Sequence, residues 1–465
     1  MFTKVLPFIS EFIEQLEQEL KESEAKRKLT KGQKWWLSFC LMGIMLSGRV
    51  CWAEIERIGI GGYGLAALSW MFRQSKLPWE QLLHSGIRVV LKKYGISEGI
   101  LGGDDTSVQR AKITKRIFGT HKIFDKKTGG YFNGQAVVIL LLITGKITVP
   151  VGFRFYRPDP VMKEWKKTVA RLKKQGVKKR PPKPTTNLAY PSKTELMLEL
   201  LEEFKKGYPQ IRVKAILGDA LYGSKEFMKR VQNIFGIQTI SQLRKKQRVK
   251  FRNREMSVCE YFGKYPGVKM TIRVRGREVK VELGSARLYV KAQGQKRLIV
   301  ALKYEGEENY RYLVASDMSW RAVDVASAYT LRWLLEVFFE DWKLYEGWGQ
   351  FAPQFDEEGS NRGLTLSLLL DYAFLLHPTQ LARVENKMPV CTVGTLQQQS
   401  RMEALIELIR GIVDADNPHQ KLDEMVEIAK RLFPLRDSGK HLNGRDLGRL
   451  EPTPLLIYRA RACMA

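Results

Sequence analysis

Cysteine is scarce and scattered. The five in 465 residues, Cys40, Cys51, Cys259, Cys391 and Cys463, show no CxxC spacing, and the five histidines are equally dispersed, so neither a zinc site nor a disulfide framework is encoded. Long apolar runs are also missing. "WWLSFCLMGIMLSG" is broken by Arg49 and "AVVILLLIT" by Gly145-Lys146; both are too short to span a bilayer and read as buried elements. The opening stretch "MFTKVLPFISEFIEQLEQELKE" is an amphipathic helix without the apolar region and small-residue cleavage site of a signal peptide, so a reducing cytoplasm is the expected location. Acidic charge is in short supply as well. Lys plus Arg number 78 against 49 Asp plus Glu, a formal charge of +29, which opposes compactness unless a polyanion offsets it and points to nucleic acid as partner.

What is present is ample apolar content, 44%, enough for the cores of two or three domains. Residues 1–98 read as helices joined by "GIGGYGL". The literal G-x-G-x-x-G of Gly59, Gly61 and Gly64 has no strand before it and no carboxylate at ribose-binding distance, so it predicts a helix-joining turn and not a dinucleotide loop. From residue 99 the period changes. "ILGGDDTSVQ" and "YFNGQAVVILLLITGKITVPVGFRFYRPD" predict three strands, the last two a hairpin, followed by a helix in "PSKTELMLELLEEFKKGYPQ", the strand "RVKAILGDA" and the helix "SKEFMKRVQNIFG". The order is that of an α/β core. Residues 246–316 alternate as antiparallel strands around Arg275-Gly276 and form a β-rich insertion.

The expected organisation is thus a helical region over 1–98, a core over 99–245, the insertion over 246–316, the second part of the core over 317–380, and a helical region over 381–465. A basic loop, 158–190, interrupts the first part of the core. Within it, residues 163–187 hold ten Lys or Arg against one Glu: a solvated loop, or an arm that tracks phosphates if it lies beside an active site.

"YTLRWLLEVFFEDWK" is the chemically informative stretch. At 100° per residue a helix places Tyr329, Arg332, Glu336 and Lys343 within roughly 60° of arc, opposite Leu335, Phe338 and Trp342. Alone, Arg332 and Glu336 make an ordinary surface pair worth about 0.3–0.5 kcal/mol. A stripe roughly 21 Å long with a carboxylate in its middle suits an extended polyanion better than a small ligand. Asp104 and Asp105 close one predicted strand in "GGDDTS" and Asp219 closes another in "AILGDALYG". Each could be a simple Asx-turn. Three clustered carboxylates, however, repel one another unless a divalent cation neutralises them, and oxygen-only ligands suit Mg²⁺ or Mn²⁺. Two such ions roughly 3.5–4 Å apart stabilise the attacking and leaving oxygens of a phosphoryl displacement.

Tyr329, Arg332, Glu336 and Lys343 reproduce the Y-(2)-R-(3)-E-(6)-K signature of the insertion-sequence-four family of bacterial DDE transposases, which the chain resembles over roughly residues 99–380. Four fixed residues recur by chance about once in 10⁵ registers, so the match is specific. The resemblance implies a ribonuclease-H-like mixed sheet and a metal-binding catalytic triad of Asp105, Asp219 and Glu336. Asp105 is preferred because it directly precedes Thr106, with Asp104 its alternative. Tyr329, Arg332 and Lys343 would grip phosphates of the transposon end, and Tyr310 or Tyr312 would be the aromatic on which some relatives stack a flipped base. The implied activity is cut-and-paste transposition: cleavage at inverted-repeat ends with two divalent ions, in some members through a hairpin, and joining of the 3′-hydroxyl to target DNA. A homodimer would synapse two ends. The rivals are a metal-dependent nuclease or resolvase on the same core, and a DNA-binding protein whose carboxylates are inert.

Overall fold

The computed structural model describes residues 1–434 apart from 24–25, 61, 113, 115, 178, 186, 275 and 352–353. The chain divides into two compact units, 1–414 and 415–465. Gly61, Arg275, Cys463 and the last part of the predicted C-terminal helical region therefore lie outside the described residues.

Five helices come first: α1 (Pro7–Glu22), α2 (Lys31–Leu46), α3 (Trp52–Ile58), α4 (Leu65–Gln74) and α5 (Trp79–Lys93). A capping box of Thr30 and Gln33 starts α2, which is apolar nearly all round and therefore sits inside. Gly59 and Gly64 are the residues flanking the α3–α4 joint, as expected of a turn between helices.

Four strands follow, one more than the periodicity predicts: β1 (Glu98–Gln109), β2 (His121–Phe124), β3 (Tyr131–Ile143) and β4 (Thr148–Tyr156). The extra one, β2, is four residues long and pairs only along the outer edge of β3, too short to show a period. The basic segment is not a loop throughout, because α6 (Pro160–Lys174) forms within it, capped by the Asp159 side chain with Pro160 at its first position. Next come α7 (Lys193–Gly207), β5 (Arg212–Gly218), α8 (Lys225–Phe235) and β6 (Gln238–Leu243). The polar sequence "QTISQL" of β6 gives no apolar run to read.

The β-rich stretch comprises β7 (Arg248–Phe251), β8 (Arg254–Ser257), the helix α9 (Val258–Lys264), β9 (Val268–Val274), β10 (Arg277–Val290), β11 (Gln295–Tyr304) and β12 (Arg311–Ala315). The unit closes with α10 (Ala322–Thr330), α11 (Trp333–Leu344), α12 (Trp348–Phe351), α13 (Glu357–Leu375), α14 (Pro378–Glu385) and α15 (Val393–Val413). In the second unit, α16 (Pro418–Leu432) is described and buries no residue.

The strands make one mixed sheet. β4, β3 and β1 are antiparallel neighbours, and β1, β5 and β6 run parallel, the order of a ribonuclease-H-like core. β12 then pairs antiparallel with β6 through Ala315 and Ile240, so β11, β10 and their partners extend the same sheet. Helices α7 and α8 cover one face of the core. On the other, Leu335 of α11 packs against β1.

The stretch predicted as one helix from Tyr329 to Lys343 is broken. The amides of Leu331, Arg332, Leu334 and Leu335 bond three residues back, to Ala328, Tyr329, Leu331 and Arg332, and the Thr330 hydroxyl donates to the Ser327 carbonyl at 2.7 Å. These tight turns end α10 and restart the helix at Trp333. Tyr329 thus stands on α10 and Arg332 at the entrance to α11.

Leu335 is fully buried, where α11 meets β1. Leu335→Ala is expected to lower stability by about 2–5 kcal/mol in urea denaturation; a loss below about 0.5 kcal/mol would mean that α11 is not seated on the sheet.

Candidate active site

The pleat of β1 decides which carboxylate faces what. A β-carbon at Gly102 would meet Leu335 of α11 at 2.7 Å, whereas one at Gly103 would meet Met197 of α7 at 2.5 Å. Successive side chains alternate, so Asp104 belongs to the α11 face and Asp105 to the α7 face. Their partners agree. Asp104, buried, accepts from the Arg332 guanidinium through Oδ2 and from the Asp105 amide through Oδ1 at 2.8 Å. Asp105 Oδ2 instead meets Lys193 Nζ at 2.5 Å, an ammonium that also lies 5.2 Å from the Tyr156 ring.

Arg332 also reaches Glu336 Oε1 at 3.4 Å, so one guanidinium bridges the β1 carboxylate and the glutamate of α11. Glu336 is about half exposed, with 48% of its side chain open. Asp219 follows β5 in an Asx-turn: its Oδ1 accepts the Leu221 amide at 2.8 Å, and its carbonyl accepts the Ser241 hydroxyl at 2.6 Å. It is also close enough for its charge to act on Asp104 and Tyr329.

The electrostatics follow from burial. Loss of water pushes Asp104 up to about 6; Arg332 pulls the other way, while Asp219 and Asp105 add to the rise. Burial pulls the Arg332 guanidinium down, but Asp104, Tyr329 and Glu336 outweigh it and its pKa ends raised. Tyr329 is pushed up to about 12, chiefly by burial, so it remains a neutral donor. Burial lowers Lys343 against the opposing charge of Glu336, and its ammonium lies 5.6 Å from the Trp348 ring.

β1 runs on to Gln109, so Asp104 and Asp105 do not close it as expected; they lie just past the point where its parallel pairing with β5 ends, and there Asp104, Asp219, Tyr329, Arg332 and Glu336 share one neighbourhood, with Lys343 two turns along α11. Asp105 is turned to the other face. Tyr310 and Tyr312 lie in the core cluster with Phe262 of α9, where the Tyr310 hydroxyl donates to Glu282. Two residues beside the acids had no sequence signal. Lys193 is simply the first residue of α7 after its Ser192 cap. Tyr222 is buried among Asp105, Asp104 and Asp219, its hydroxyl without a hydrogen-bond partner among the described residues. A tyrosine three residues after a strand-end Asp is indistinguishable from core in a single sequence.

The donor set is all oxygen and suits Mg²⁺ or Mn²⁺ in kind. In spacing it does not. Among the described residues no three His, Cys, Asp or Glu side chains converge closely enough to hold an ion; Arg332 lies between Asp104 and Glu336, and Lys193 holds Asp105.

Residues 28–265 match the family described as DDE superfamily endonuclease, just over half of the chain, and the chain belongs to that family. Residues 185–348 match the transposase DDE domain, a span that includes Asp219, Tyr329, Arg332, Glu336 and Lys343. DDE domains are ribonuclease-H-like and generally use divalent metal ions, which agrees with the strand order and with a transposase-type, nuclease-class enzyme. A comparison with curated proteins finds no match.

Asp104 supplies a pH test. Its folded pKa, about 6, stands above the ordinary 3.8, so the proton stabilises the folded state; this contribution is whole below pH 3.8 and is lost as pH rises through 6. Relative to Asp104→Asn, the native chain should lose on the order of 1–3 kcal/mol of stability between pH 4 and 7. Parallel stability curves for the two would contradict the buried position of this carboxyl.

Proposed function

We propose that the protein is a cut-and-paste DNA transposase of the insertion-sequence-four type, which cleaves inverted-repeat ends of double-stranded DNA and joins their 3′-hydroxyls to target DNA. The observation that carries this reading is the gathering of Tyr329, Arg332 and Glu336 from the α10–α11 break beside Asp104 and Asp219, within a DDE-family chain. Asp219, Glu336 and one of the two adjoining aspartates are the carboxylates that work on the scissile phosphodiester. The spacing before Thr106 favours Asp105. The shared sheet face favours Asp104, and we adopt it as the first carboxylate, with Asp105 as its neighbour bound to Lys193.

Arg332, Tyr329 and Lys343 are two cations and a neutral hydroxyl on one edge, suited to phosphate oxygens of a transposon end. Arg332 leaves the carboxylates when it takes a phosphate, exchanging one anion for another and leaving the buried Asp104 in need of a cation. Asp104, Asp219 and Glu336, drawn together once Arg332 is gone, are the residues that would hold two Mg²⁺ or Mn²⁺ ions, which would supply activation of the attacking oxygen and stabilisation of the leaving one. Strand transfer through a hairpin, synapsis by a homodimer, DNA binding by the helical region 1–98, the insertion 246–316 and action on the nucleoid complete the proposal.

A second reading has one observation in its favour. Arg332 bound to both Asp104 and Glu336 suits a DNA-binding protein whose acids are inert. Glu336→Gln separates the two. It should leave end binding within about threefold and remove cleavage of an end-containing duplex in Mg²⁺ by a factor of 10³ or more. Cleavage retained by the variant removes Glu336 from the reaction, and a native protein that binds but never cuts selects the inert reading.

A further inference from the structure

Helix α6 leaves the sheet after β4, and the chain returns to α7 through residues 175–192, yet the helix buries no residue. Its half-buried apolar positions, Met162, Trp165, Val169 and Leu172, recur at three- and four-residue spacing, and the Trp165 indole donates to the Pro181 carbonyl at 3.1 Å. The helix is thus tied to the irregular segment that returns to α7. At about 100° per residue, Lys163, Lys166, Lys167, Arg171, Lys173 and Lys174 fall within roughly 160° on the opposite side, along about 16 Å of axis. Among the described residues the one ion pair on this helix is Lys167 with Glu164, an exposed contact at 2.9 Å that contributes little. A solvated helix face ordinarily mixes its charges. Six cations beside a single acid repel one another unless an anion covers them.

The base of this helix adjoins the acids. Asp159, its cap, follows Tyr156 closely; the Tyr156 ring meets Lys193, and Lys193 holds Asp105. His121 stacks edge-on against Tyr156 at 5.7 Å, and both Lys193 and Lys163 act on it. The positive face therefore continues from the Asp105 side of β1 out along α6, on the sheet face opposite Arg332.

We propose that α6 is a DNA-clamping arm, whose lysines and Arg171 hold the phosphodiester backbone of duplex DNA by charge and not by sequence while the Arg332–Lys343 edge holds it from the other face. The inference rests on the DNA-processing reading. Its partner is double-stranded DNA; an anionic membrane is the outcome to be excluded.

The test uses the full chain with Lys166, Lys167, Arg171 and Lys174 all changed to Gln, and a second variant with Lys166, Lys167 and Lys174 changed to Arg. Affinity for two unrelated duplexes is measured by anisotropy from 50 to 300 mM salt. The Gln variant should bind both about thirtyfold more weakly at 100 mM, with the slope of log K against log salt reduced by about 3, while circular dichroism and melting stay native and the Arg variant keeps the native slope. A native slope in the Gln variant overturns the arm and leaves the transposase reading standing. No duplex binding by the native chain sinks both. Tighter arm-dependent binding to phosphatidylglycerol vesicles than to duplex overturns the arm as a DNA contact.

Discussion

Adjacent carboxylates in the middle of a strand need positive charge, and the arrangement of this protein around β1 follows from that requirement. Asp104 and Asp105 are adjacent, so the pleat sends them to opposite faces, where each finds its own cation: Arg332 from the start of α11 and Lys193 from the start of α7. Both cations sit on elements that the core fixes. Leu335 seats α11 against Gly102, and Met197 seats α7 against Gly103, each close approach depending on the absence of a β-carbon. Glycines before the two aspartates thus place the helices that neutralise them.

This pairing is costly to leave half made. A buried Asp104 without Arg332 would be an uncompensated charge in a poor dielectric, and burial raises its pKa to about 6 even with Arg332 present. A guanidinium shared between Asp104 and Glu336 is an economical arrangement when no other cation is bound. It is also exchangeable, because a phosphate offers Arg332 the same bidentate geometry that a carboxylate does.

Much of this was legible in the residues. The strands β1, β3, β4 and β5, the Gly145-Lys146 hairpin and the capped α7 all follow from period and capping signals that the structure repeats. The polar edge of "YTLRWLLEVFFEDWK" was legible as a set of residues but not as a shape, since nothing in a helical period announces that Thr330 will bond back to Ser327 and split the helix. β6 and α6 were missed for opposite reasons: β6 is polar yet lies between two other strands of a mixed sheet, and α6 is basic yet capped by Asp159 and tied to the segment that follows it. Which aspartate faces α11 depends on strand register relative to helices far away in sequence, information that adjacency to Thr106 does not contain.

In the proposed reaction, Asp104, Asp219 and Glu336 are the carboxylates that would receive divalent ions once DNA draws Arg332 away. Mn²⁺ titration followed by electron paramagnetic resonance, with and without an end duplex, measures this directly. Weak binding to the free protein is expected, with two ions bound in the presence of duplex, loss of that binding in Asp104→Asn and its retention in Asp105→Asn. Duplex-dependent Mn²⁺ binding that survives Asp104→Asn and disappears in Asp105→Asn would contradict it.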